Sequence, residues 1–140
     1  MTTRALEDAE IFAMFLIRGG KYAVRNRTML MVGIHLALRA TELCGLTVGD
    51  VYDGGHVRTY VSIRPETAKG KKGRKVRISS AVREALLEFI QWKGFRGEPL
   101  SPESPLFLSE RGDHLSRKML FVIVKGALQQ AGIAESARNV

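Results

Sequence analysis

Six of the nine residues from Lys69 to Arg77 are basic, and Gly70 and Gly73 punctuate the run. A β-rich stretch, HVRTYVSIR at 56–64, precedes it, and Val76-Arg77-Ile78 follows. Two strand-like segments joined by glycine-bearing chain read as a β-hairpin, because glycine supplies the positive φ of a tight turn. The tip of this hairpin carries concentrated positive charge. Residues 64–77 hold seven basic side chains and one acid, Glu66, so +6 of the chain's net +8 lies here. Such a tip is suited to reaching along a phosphodiester backbone.

The remaining charge and composition bound the possibilities. A chain of 140 residues is normally one domain with a real core. Hydrophobic content of 45% and charged content of 26% are ordinary for a soluble globular protein. No apolar run is long enough to span a bilayer; the longest, Met29 to Leu38, is broken by Gly33 and His35. Acids at Glu7, Asp8 and Glu10 stand where a signal peptide would need basic residues. A lone Cys44 excludes an internal disulfide and zinc sites built on cysteine pairs. The expected compartment is the cytoplasm. The basic balance favours a polyanionic partner, nucleic acid or an anionic membrane surface, over a neutral one.

Periodicity predicts helices around a small sheet. Residues 6–18 place Ile11, Phe12, Phe15 and Leu16 on one helical face behind an acidic start. Residues 24–38 read as a second, mostly buried helix. Its first turn is basic, against the dipole preference, which points Arg25 and Arg27 towards a role other than helix stability; solvated surface is the plain alternative. Thr41 is the expected N-cap of a short third helix, and Leu46 to Asp50 the turn after it. Asp53-Gly54-Gly55 signals a hairpin turn, residues 56–64 a strand, and Val76-Arg77-Ile78 its returning partner. Val82, Leu86, Phe89 and Ile90 mark an amphipathic helix over 80–92. A proline-rich loop follows at 93–105, then an extended Leu106-Phe107-Leu108 and a last helix over 115–131. Residues 134–140 read as a tail. The fold class is α+β, mainly helical with a small antiparallel sheet.

Two residues stand out chemically. Arg39 lies between an apolar helix and a polar cap. It is either an arginine paired with Glu42 or Asp50, or a phosphate clamp whose guanidinium fork meets two oxygens. Lys69 is either one surface lysine among several or a cation whose direction the preceding strand sets.

Together they resemble a known pattern. ALRATELCGLTVGDV at 37–51 looks like the first arginine box of the tyrosine recombinase (phage integrase) family, at Leu38-Arg39, Thr41-Glu42-Leu43, Leu46 and Asp50. AKGKKGRKVRIS at 68–79 resembles that family's lysine hairpin, and 104–133 its Phe-x-Ser-x-x-Gly stretch and following helix. The resemblance spans about residues 5–133, so 1–133 is expected to be part of a DNA breaking-rejoining domain. The family commonly has Thr-Gly before Leu-Arg, where this chain has Leu36-Ala37; alanine there is expected to be tolerable at negative φ. The family's later His-x-x-Arg box and nucleophilic Tyr have no counterpart in these residues. His114-Leu115-Ser116-Arg117 spells the former but precedes the last helix, and Tyr22, Tyr52 and Tyr60 all lie upstream of Lys69.

The resemblance implies a Tyr hydroxyl attacking a DNA phosphodiester to leave a 3′-phosphotyrosine link, which a 5′-hydroxyl then reverses. In this scheme Arg39 stabilises negative charge on the pentavalent phosphorus, and Lys69 protonates the leaving 5′-oxygen. Glu42 orients Arg39. Lys71, Lys72, Arg74, Lys75 and Arg77, with Arg25 and Arg27, contact phosphates of double-stranded DNA without reading sequence. No metal or other cofactor is called for. Half a site is expected to bind without cleaving, and a surface left open on the core to pair with a second copy or a complementing chain. The competing readings are a non-catalytic DNA-binding remnant or split subunit of a mobile element, and a basic RNA-binding protein. No aromatic residue lies between Arg64 and Arg83 to stack single-stranded bases.

Overall fold

The computed structural model describes residues 20–64 and 72–130. In chain order the elements are α1 (Ala23–His35), α2 (Ala40–Cys44), α3 (Val48–Val51), β1 (Tyr52–Asp53), β2 (His56–Val57), β3 (Tyr60–Ile63), β4 (Arg74–Arg77), α4 (Ser80–Phe95) and α5 (Arg117–Gln130). The strands form two separate antiparallel pairs, β1 with β2 and β3 with β4. The α+β expectation therefore holds, with two small sheets in place of one. The proposed helix over 6–18, the hairpin tip at 65–71 and the tail lie outside the described residues.

One core joins these pieces. Met29 and Val32 of α1, Leu43 of α2, Val61 and Ile63 of β3, and Val82, Leu86 and Phe89 of α4 are buried together. On α4 the buried positions recur at helical spacing and continue to Lys93, so the helix runs three residues past the expected boundary at 92. Phe89 stacks on Trp92 with ring centroids 5.5 Å apart and meets Phe107 at 5.4 Å. Lys93 is wholly buried, and its Nζ donates to Glu98 Oε1 at 2.8 Å. That ion pair fastens the end of α4 to the proline-rich loop. The segment Leu106–Leu108 forms no strand; Leu106 N–H donates to Leu46 O at 2.9 Å, and a single bridge joins Leu108 to His114.

The turns decide where the chain emerges. The strand expected over 56–64 is broken in two: β2 pairs with β1, where Arg58 N–H still donates to Val51 O at 2.7 Å in the same register, and β3 begins at Tyr60 and pairs with β4 instead. Gly54 and Gly55 both have positive φ, 56° and 87°, as a two-residue hairpin turn between β1 and β2 requires. The expected turn from Leu46 to Asp50 instead contains the start of α3. Thr47 caps that helix: Thr47 N–H donates to Asp50 Oδ2 at 2.8 Å, and Asp50 N–H returns to Thr47 Oγ1 at 3.3 Å. Gly49 packs directly on the proline-rich loop, where a Cβ would lie 2.9 Å from Pro102 O.

The end of α1 also departs from expectation. It stops at His35, not at Leu38. Leu38 N–H reaches back to Gly33 O at 3.1 Å and Ala37 N–H to Ile34 O at 3.3 Å, the paired bonds of a Schellman motif. Ala37 occupies its left-handed position with φ of 52°, so the negative φ that would have made alanine tolerable is not found. The end of α4 uses the same motif with Gly97 at φ 75°. Alanine's Cβ crowds the adjoining carbonyl in this region, at about 1–2 kcal/mol, partly offset by glycine's greater freedom when unfolded. Ala37→Gly is therefore expected to stabilise the fold by about 0.5–1 kcal/mol, read as a raised urea midpoint at unchanged slope.

Candidate nucleic-acid interface

The Schellman turn ends α1 and delivers Arg39 in extended conformation, φ −72° and ψ 157°, as the N-cap of α2. The cap is thus two residues earlier than the expected Thr41. A guanidinium has no acceptor to offer the helix, so half a capping box closes the turn: Arg39 N–H donates to Glu42 Oε1 at 2.9 Å. Arg39's side chain stays 56% exposed, with Nη1 3.9 Å from Glu42 Oε2. Of the two partners considered for Arg39, the structure chooses Glu42. Asp50 is engaged by Thr47 and lies 3.6 Å from Arg64 Nη2.

Glu42 is the most constrained group here. Its side chain has no solvent exposure. Arg74, the first residue of β4, takes both carboxylate oxygens: Nη2 donates to Oε1 at 3.0 Å and Nη1 to Oε2. Hydrogen bonding from Arg74, against the opposing cost of burial and with help from Arg39 N–H, holds the Glu42 carboxyl below its ordinary 4.5. The same contact raises the Arg74 guanidinium.

This pair brings two sequence-distant segments to one groove of about 730 Å³, lined by Ala37, Leu38, Arg39, Lys72, Gly73 and Arg74. Lys72 is exposed at its edge. The β3–β4 ladder pairs Tyr60 with Arg77, Val61 with Val76, Ser62 with Lys75 and Ile63 with Arg74. Burial alternates along it, so Arg74 and Val76 turn inward while Lys75 and Arg77 face out. The outward face adjoins a second hollow, lined in part by Arg58, Tyr60, Ser62 and Lys75. Lys69 and Lys71 lie outside the described residues.

Comparison with known proteins supplies the family. Residues 6–139 match the family model described as "Phage integrase family". This chain is a member of the phage integrase family. It is 29% identical to the tyrosine recombinase XerC of Herpetosiphon aurantiacus over 126 residues, 90% of this chain and 39% of that protein. It is 32% identical to the XerC of Pelobacter propionicus over 104 residues, 74% of this chain and 31% of that one. The integrase-family chain thus spans less than half the length of these relatives. Among solved structures it superposes on the XerA recombinase with a TM-score of 0.68 at 20% identity, covering 91% of this chain and 43% of that one. The XerH site-specific recombinase bound to palindromic difH substrate, a post-cleavage complex, gives 0.70 at 21%, covering 91% and 36%.

Not every expected site residue of this integrase-family chain reaches the groove. Arg25 is 6% exposed, which corrects the expectation of an open phosphate contact. Its guanidinium donates to Leu108 O at 3.0 Å and lies 4.2 Å from the centre of the Tyr22 ring. The basic first turn of α1 therefore serves packing at this position. Arg27, on the same turn, is partly buried. His114 Nδ1 donates to Cys44 O at 2.9 Å, tying the loop before α5 to the end of α2, and does not line the Arg39 groove. The buried Lys93–Glu98 pair was not foreseen. Its only sequence signal was a lysine continuing the apolar stripe of α4, three residues after Ile90. Among the described residues no group of histidine, cysteine and carboxylate side chains is arranged to hold a metal, and no helix is long and apolar enough to cross a membrane.

The lowered Glu42 carboxyl has a pH consequence. A depressed folded-state value contributes stability that is present above the ordinary 4.5 and disappears as pH falls through the folded value. Glu42→Gln is expected to cost about 2 kcal/mol at pH 7, less than a fully buried pair because Arg74 keeps some water. Urea unfolding of both proteins should show that gap closing as pH falls below about 4.5.

Proposed function

We propose that this chain is the DNA-binding core of a site-specific tyrosine recombinase or integrase. In the complete enzyme, strands are cleaved and rejoined through a 3′-phosphotyrosine link. The observation that carries the reading is the convergence of a half-exposed Arg39 with the base of the lysine hairpin on one groove, behind which Glu42 is buried. A phosphodiester in that groove would meet a guanidinium whose backbone is fixed before substrate arrives, the preorganisation that makes charge stabilisation effective in a transition state. The XerH relative bound to its difH substrate supports double-stranded DNA as the partner.

In this reading Arg39 steadies the non-bridging oxygens and Lys69 serves as general acid to the leaving 5′-oxygen. Lys71, Lys72, Lys75 and Arg77 hold the duplex by its phosphates. The 140 residues, with no tyrosine after Lys69, bind DNA without forming a covalent link. Exposed Met119, Phe121 and Val122 on α5 offer an apolar face for a second copy or a complementing chain. A cytoplasmic, nucleoid-associated location accords with such a partner.

Arg39→Ala should change duplex affinity by less than about 3-fold, because one phosphate contact among many contributes little to binding. Reversing the charges at Lys71, Lys72 and Lys75 should abolish binding. Fluorescence anisotropy on a labelled duplex and its single strand reads both. Equal losses from the two changes would remove the division of roles, and preference for the single strand would favour the RNA-type alternative.

A further inference from the structure

The strongly basic run does not present all its charge to one partner. The last rung of the β3–β4 ladder before the tip is Ile63 with Arg74. An arginine flanks that rung on each side, Arg64 immediately after β3 and Arg74 as the first residue of β4. Both are turned back onto the segment that carries Arg39. Arg74 grips both oxygens of Glu42. Arg64 Nη2 donates to Gly45 O and lies 3.6 Å from Asp50 Oδ2. Glu42 and Gly45 belong to α2 and its C-cap, and Asp50 to α3. The two strands are therefore tied, one each, to the helices that follow Arg39.

From this geometry we infer that Arg64 and Arg74 are positioning residues, which hold the lysine hairpin at a fixed placement beside Arg39, and that the phosphate contacts of the described hairpin fall to Lys72, Lys75 and Arg77. The inference rests on the recombinase reading and deepens it. Three observations carry it. Arg74 shares the inward face of β4 with Val76, opposite to Lys75 and Arg77. Its fork is occupied by a carboxylate without solvent exposure, which would lose its main partner if Arg74 swung out to DNA. Glu42 Oε1 simultaneously accepts the N–H of Arg39, so the same carboxylate sets both sides of the groove. Arg74's planar fork matches the two carboxylate oxygens, a geometry that the compact ammonium of a lysine does not reproduce.

The test uses the full 140-residue chain and a duplex oligonucleotide. Affinity is measured from low to moderate salt for the unsubstituted protein, Arg74→Ala, Arg74→Lys, Lys75→Ala and Arg77→Ala, each first shown to be folded by its thermal melt. In parallel, carboxyl carbon NMR follows the titration of Glu42. Each phosphate contact removed should lower the slope of log affinity against log salt by about 0.9. That loss is expected for Lys75→Ala and Arg77→Ala, with no loss for Arg74→Ala. Glu42 should titrate at higher pH in Arg74→Ala, and Arg74→Lys should restore it only in part. A slope lowered by Arg74→Ala as much as by Lys75→Ala would make Arg74 a phosphate contact and overturn the inference. So would a Glu42 titration that ignores both Arg74 substitutions. If the chain binds no duplex at all, the recombinase reading has failed, and the Glu42 titration still decides whether Arg74 holds the hairpin to α2.

Discussion

A carboxylate sealed from solvent must have its oxygens matched, and the structure around Arg39 follows from that requirement on Glu42. Left unpaired, a buried charge costs several kcal/mol, enough to consume a large part of the stability of a domain this size. Glu42 meets the requirement locally through the N–H of Arg39 and distantly through the fork of Arg74, 32 residues on. The local bond fixes the backbone entering α2. The distant one fixes β4, and through the ladder β3, against the same helix. The groove is what remains between two segments whose placement one side chain determines.

Other contacts set the stage on which that side chain acts. The Schellman turn reverses the chain at Ala37, so that Arg39 leaves a buried helix and faces water within four residues of His35. The strain of a left-handed alanine is tolerated there because the turn's two hydrogen bonds and the apolar neighbours on both sides leave the chain no other route. Below α2, α3 is seated by the bare backbone of Gly49 on Pro102 and by Val48 N–H donating to Ser104 O at 2.8 Å. The proline-rich loop in turn is held by the buried Lys93–Glu98 pair. A continuous series of polar contacts thus runs from the end of α4 to the segment that bears Arg39.

How much of this was legible in the sequence depends on the range of the interaction. Hydrophobic spacing predicted α4 from Val82, Leu86, Phe89 and Ile90, and the Gly54-Gly55 pair predicted its turn, because both signals are complete within a few residues. The link between Arg39 and Glu42 was equally local and equally visible. The boundary errors arose where a side chain competes with an expected rule. Glu42 moves the cap from Thr41 to Arg39, and the Thr47–Asp50 pair turns a presumed loop into the start of α3. Arg25 was misread because its carbonyl partner at Leu108 lies 83 residues away. The Arg74–Glu42 pair was hidden for the same reason. A run of basic residues shows its charge in sequence, whereas the strand alternation that sends Arg74 inward shows only once the register is known.

That alternation bears on how a basic hairpin should be understood. Charges that draw a duplex in must be exposed, and exposed charges are screened within about 8–10 Å at physiological salt. They act as a group, and loss of one changes the total modestly. A charge that locates a reacting phosphate has the opposite requirement, since its position must survive thermal motion of a long side chain. A surface lysine cannot meet both demands, because the freedom that lets it follow a backbone also blurs its placement. The ladder separates the demands by turning alternate residues to opposite faces: Lys75 and Arg77 remain in water, while Arg74 gives up its mobility to Glu42. The cation engaged with Glu42 adds little to steering, but it narrows the positions open to the chain on either side of it. Under the proposed DNA-binding role, placement of the hairpin rests on a buried carboxylate and attraction for a duplex on the outer face.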